Sequence, residues 1–131
     1  MPFALALTVI LAALAIFQLA LALGAPLGRF AWGGQHEVLP ARLRVGSLIA
    51  IVIYAVIVVI AYGRLDAIDV LPLAFATVAM WVVFAYFLIG IAMNAVSRSR
   101  PERFVMVPVT IVLTVLSFFI ALGYGSMAMP A

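Results

Sequence analysis

The chain has no cysteine, no lysine, one histidine and only four acidic side chains among 131 residues. Without cysteine, disulfides, thiolate metal sites and dithiol redox chemistry are excluded together. The lone histidine, His36, stands beside Glu37. Catalysis needs several convergent groups, so this pair is too little for an enzyme, and no metal and no cofactor are expected. Charged side chains make up 8% of the sequence, against about 25% in an ordinary soluble domain. The net charge of +3 comes from seven arginines. That is too few basic groups, divided between separate loops, to neutralise a nucleic-acid backbone.

What the chain does have is hydrocarbon. Its side chains are 69% hydrophobic and its mean hydropathy is +1.40. No aqueous fold hides that much apolar surface, so the solvent for most of the molecule is lipid. The expected fold is all-α, an integral membrane four-helix bundle with antiparallel neighbours, in one domain covering residues 1–131. Spans are expected at about residues 2–23, 45–63, 70–93 and 104–123, each long enough at roughly 1.5 Å per residue to cross about 30 Å of hydrocarbon. Ala20-Leu21-Ala22 resembles a cleavage site, but Met1-Pro2-Phe3 brings no positive charge and the apolar run outlasts a signal peptide's. We therefore expect the first span to be retained.

Gly24 followed by Pro26 is a helix exit, and Gly123 with Gly125 is another. Pro40 suits the start of the second helix and Pro72 the first turn of the third, where Asp69 is placed to cap. Ser99, Arg100, Pro101 and Glu102 fit the S-x-x-E capping box. Pro108 is expected to kink the fourth helix. Met127 and Met129 form a short tail that offers only weak soft-metal ligation.

Residues 24–44 and 94–103 hold six of the seven arginines: Arg29, Arg42, Arg44, Arg98, Arg100 and Arg103. The remaining connection holds Arg64 with two aspartates. Positive charge marks the cytoplasmic side, so these two loops are expected inside the cell and both termini outside. Leu-Pro-Ala-Arg before the second span and Arg-Pro-Glu-Arg before the fourth give a two-residue echo, Pro and Arg in the same register. Arginine at a helix N-terminus adds positive charge to a positive dipole end. It serves either as plain topology determination or as an anion site, with Arg29, Trp32, His36, Arg42, Arg44, Arg98, Arg100 and Arg103 as candidate binding residues for an anion or a partner.

Within the spans, tyrosine is the only titratable residue type. Proton-coupled carriers need a titratable group at membrane depth. Small multidrug exporters place an acidic residue in their first span, and here that span offers Gln18, so drug efflux is not expected. Gln18, Ser47, Asn94 and Thr110 fall in the same third of the bundle. They either line a polar pocket beneath the arginine loops or hydrogen-bond between helices. Thr110, Thr114 and Ser117 form one stripe, facing water or packing with hydroxyls bonded to the preceding turn. Gly46 with Ala50, and Gly90 with Asn94, have the spacing that lets helices approach closely.

The two loops, GAPLGRFAWGGQHEVLPARLR at 24–44 and MNAVSRSRPER at 93–103, resemble those of an uncharacterised family of small four-span bacterial integral membrane proteins. The resemblance implies a bacterial plasma-membrane location and brings no substrate or catalytic residue. The function expected is a non-enzymatic module whose cytoplasmic loops bind anionic phospholipid headgroups or a protein partner. The alternatives are a small-solute or ion facilitator acting as a homo-oligomer, within a larger membrane complex or alone, and a lipid enzyme that borrows His36 across a subunit interface.

Overall fold

The computed structural model describes residues 2–124. Four helices run in order: α1 Pro2–Ala22, α2 Ala41–Arg64, α3 Leu73–Ala95 and α4 Arg100–Ala121. Among the described residues there are no strands. All four helices are long and apolar enough to cross a membrane, and the chain is an all-α, multi-pass membrane bundle. The tail at Met127 and Met129, with Gly125, lies outside the described residues.

The helix bounds differ from the hydropathy bounds for physical reasons. α2 begins at Ala41, straight after the extended Pro40, because arginines at an interface remain helical while their heads reach water. α3 begins only at Leu73, with Pro72 as its cap residue and no side chain capping it. Asp69 therefore stands outside the helix it was expected to cap, in a loop that turns at Asp66 (φ 58°). α3 also continues to Ala95, so Asn94 is inside it. Pro108 sits within α4, which stays one helix from Arg100 to Ala121.

Helix exits follow the glycines. At Gly24 (φ 96°), the Gly24 amide reaches the Leu21 carbonyl at 3.1 Å and the Ala25 amide reaches Ala20 at 2.9 Å. Gly123 (φ 91°) ends α4 through the same pair of bonds, to Ile120 and from Tyr124 to Phe119. Both satisfy carbonyls that a helix end would otherwise leave open, which matters more where no water reaches.

α1 packs on α2 and α4, and α3 packs on α4 and α2. The well-filled core is displaced toward the end of the bundle that carries residues 65–72. It takes Ala4, Leu7 and Leu11 from the first half of α1, Ile57 and Ala61 from the second half of α2, with Leu65 just past its end, Met80, Val83 and Phe87 from α3, and Leu113, Ile120 and Ala121 from α4. At that end Arg64 Nε donates to the Ala121 carbonyl at 3.0 Å, tying α2 to α4. Outward positions such as Leu5, Val9, Val52, Val78, Val82 and Val115 are exposed. Helices that are apolar all round belong in lipid.

The hydroxyl stripe of α4 packs. Thr110, Thr114 and Ser117 are buried. Thr110 donates to the Met106 carbonyl at 2.6 Å and Thr114 to the Thr110 carbonyl at 2.7 Å, while Ser117 Oγ is buried without a partner.

Candidate functional site

The loop between α1 and α2 folds into two tight 3₁₀ turns, Gly28–Phe30 and Trp32–Gly34. It closes on itself through the Gly28 amide, which donates to the Glu37 carbonyl at 2.8 Å. A Cβ at residue 28 would lie 1.8 Å from the His36 carbonyl oxygen, so only glycine permits this approach.

The same loop then docks on the connection between α3 and α4. A Cβ at Gly34 would come within 2.3 Å of Ser99 Cβ. Ser99 Oγ donates to the Arg29 carbonyl, and the Gly33 amide donates to Glu102 Oε2 at 3.1 Å. The reciprocal capping box expected from Ser99 and Glu102 therefore does not form. Ser99 is the N-cap of α4 but makes no side-chain cap, and its own amide bonds to Ser97 Oγ at 3.2 Å. Both capping side chains are spent on joining the two arginine loops.

Trp32 is the hinge of this arrangement. Its backbone is left-handed (φ 52°), a conformation that costs a bulky residue about 1–3 kcal/mol and persists only where the surroundings enforce it. Here they do: the indole lies over Gly46 of α2, where a Cβ would be 2.9 Å from the ring, and Nε1 donates to Ser47 Oγ at 3.3 Å. Gly46 thus makes room for an aromatic ring from the loop, whereas Gly90 brings α3 against Thr110 Cγ2, 3.2 Å from its Cβ position.

Beneath the loop lies a cavity of about 410 Å³. Phe30, Ala31 and Trp32 roof it, and Leu14, Phe87 and Leu113 floor it against the packed core. α4 contributes a single stripe, Glu102, Met106, Val109, Thr110 and Leu113, and α2 contributes Ala50 and Tyr54. On the α3 side Tyr86, Ile89 and Met93 line it while remaining exposed. These exposed lining residues mark an open side on the outward, apolar surface of α3. Three polar features punctuate the lining. Gln18 Nε2 donates to Tyr54 OH at 3.4 Å, but Gln18 Oε1 is buried with no partner. Asn94 Nδ2 donates to Thr110 Oγ1 at 2.9 Å. Glu102 is only 5% exposed.

The residues singled out by sequence are thus sorted. Gln18, Asn94, Thr110 and Trp32 line the cavity. Ser47 is buried behind Trp32, holding the indole. His36 is half-buried in the loop and contributes no wall. Arg29 is exposed with its guanidinium 5.0 Å from the Phe30 ring centroid, and Arg42, Arg98 and Arg100 are exposed. Arg44 Nε donates to the Leu39 carbonyl at 2.8 Å and Arg103 to the Ser97 carbonyl at 2.6 Å. These bonds to loop carbonyls offset the arginine charge at each helix N-terminus. The echo between Pro40-Arg42 and Pro101-Arg103 does not extend to roles, since Arg44 rather than Arg42 folds back.

Sequence reasoning missed Glu102, Tyr54, Tyr86 and Phe30 as cavity residues. A signal existed for Glu102, which shares a helical face with Met106, Thr110 and Leu113; reading it as a cap concealed that. Set against known proteins, the chain matches no family model, no curated protein and no solved structure.

Proposed function

We propose that this chain is a non-enzymatic binding module of the bacterial plasma membrane that takes a small, membrane-soluble ligand from the bilayer into the cavity beneath its arginine loops. Those loops face the cytoplasm in this reading and both termini face outward, as the arginine asymmetry favours. The observation that carries it is the cavity itself: an apolar, aromatic-lined space beneath the loops, with Gln18, Asn94 and Glu102 as the polar side chains of its wall. Concave, mostly apolar sites with a few convergent polar groups are where small ligands bind.

The packed half of the bundle argues against a path through one copy, because Leu7, Leu11, Met80 and Leu113 fill it. Anionic headgroup contact remains a second reading, favoured by the exposure of Arg29, Arg42, Arg98 and Arg100. Among the described residues none of the four pairs with a carboxylate. Replacing all four with glutamine is expected to strip anionic phospholipid from the purified protein.

The test is native mass spectrometry of protein extracted in mild detergent. Wild type is expected to retain a small molecule that Ala50→Phe, which fills the cavity from α2, loses while its melting temperature holds. Equal retention by both variants, or none by wild type after incubation with membrane extract, would refute the reading.

A further inference from the structure

The reading above leaves the ligand's chemistry open, and the cavity's own lining narrows it. Glu102 places a carboxylate there, 95% removed from solvent by its 5% exposure. An ionised carboxylate has about four acceptor sites. Among the described residues its hydrogen-bond donor is a neutral one, the Gly33 amide, and no arginine pairs with it. A buried charge is expensive unless it is paired, and apart from that bond its compensation is the N-terminal dipole of α4, in whose first turn Glu102 stands. Two arginines of these loops, Arg44 and Arg103, donate to loop carbonyls instead, and no basic side chain lines the cavity.

Gln18 and Asn94 line the cavity as well, Gln18 Nε2 donating to the Tyr54 hydroxyl and Asn94 Nδ2 to the Thr110 hydroxyl. Trp32, Phe30, Tyr54 and Tyr86 add aromatic rings to the wall, and ring faces attract cations. A phosphate or carboxylate ligand would bring further acceptors and negative charge against Glu102. The rest of the lining is aliphatic, and the open side lies on the apolar surface of α3.

From this juxtaposition we infer that the cavity's ligand is a small organic ammonium ion with an apolar body, its charged head against Glu102, its body among the aromatic rings. The inference rests on the cavity being a binding site, as proposed above.

The experiment uses the full chain in nanodiscs of zwitterionic lipid and three probes of one shape: phenylbutylamine, which is protonated at about pH 7, the neutral phenylbutanol, and the anionic phenylbutyrate. Binding is read by equilibrium dialysis. Wild type is expected to prefer the amine over the alcohol by at least about tenfold, the scale of a hydrogen bond to a charged group, and to bind the acid least. Glu102→Gln should bring the amine and the alcohol to within about twofold of one another, and Glu102→Asp should restore part of the preference. Alcohol binding in Glu102→Gln, together with its melting temperature, reports that the variant is folded. If wild type binds amine and alcohol equally, the ammonium assignment fails while the cavity stands as a site, and this holds whether or not Glu102→Gln folds. If no probe binds and Ala50→Phe changes nothing, the binding-site reading fails as well.

Discussion

The Glu102 carboxylate accepts a hydrogen bond from the Gly33 amide at 3.1 Å, across 69 residues of sequence. This bond ties the loop that roofs the cavity to the first turn of α4, at Gly33 (φ 77°) in its left-handed turn. With Ser99 bonded to the Arg29 carbonyl, it makes one surface of two connections that sequence reading treats separately.

Removing that acceptor should loosen the roof. Glu102→Ala leaves the Gly33 amide without a partner, and a hydrogen bond to a charged group contributes about 1.5–3 kcal/mol. Hydrogen exchange at residues 28–34 is therefore expected to rise roughly ten- to a hundredfold, with α3 and the second half of α4 unchanged. Protection of the loop equal to wild type would show that Gly33 is held by other contacts.

Gly46 should tolerate nothing larger than alanine. A leucine there occupies the position of the Trp32 ring, 2.9 Å from a Cβ at residue 46. Overpacking costs about 1–3 kcal/mol, and the indole also loses its bond to Ser47. In a Trp81→Phe background, so that Trp32 alone reports, Gly46→Leu is expected to red-shift tryptophan emission and to lower the melting temperature. An unshifted spectrum would place the indole somewhere other than over α2.

Asn94 and Thr110 should couple. Their side chains meet at 2.9 Å in the cavity wall, and interhelical hydrogen bonds in membrane proteins average about 0.6 kcal/mol. A double-mutant cycle with Asn94→Leu and Thr110→Val is expected to return a coupling of that order. Strict additivity would mean that the two helices are held there by packing alone.

Orientation is open to a direct check. Cytoplasmic reporters fused after residue 34 and after residue 97 are expected to be active at both sites, and periplasmic reporters at neither. Opposite responses at the two positions would contradict a shared face, including the bond between Gly33 and Glu102.

Composition and hydropathy alone determined that the chain has four helices long and apolar enough to cross a membrane, because about 20 consecutive apolar residues in a helix match the thickness of the hydrocarbon layer. They also located the arginine loops, the glycine exits at Gly24 and Gly123, and four of the residues near the cavity, since a polar side chain in an apolar run is conspicuous. Only the tertiary structure decided what those loops do. Ser99 and Glu102 carry the pattern of a cap, but a cap is a local preference of about 1 kcal/mol, and two loops packed together offered both side chains other partners. Nothing in one helix's sequence says that Trp32 will lie on Gly46, or that a cavity will open beneath the arginine loops. Such outcomes depend on how four rods lean against one another, which is a property of pairs of distant residues and not of any stretch of chain.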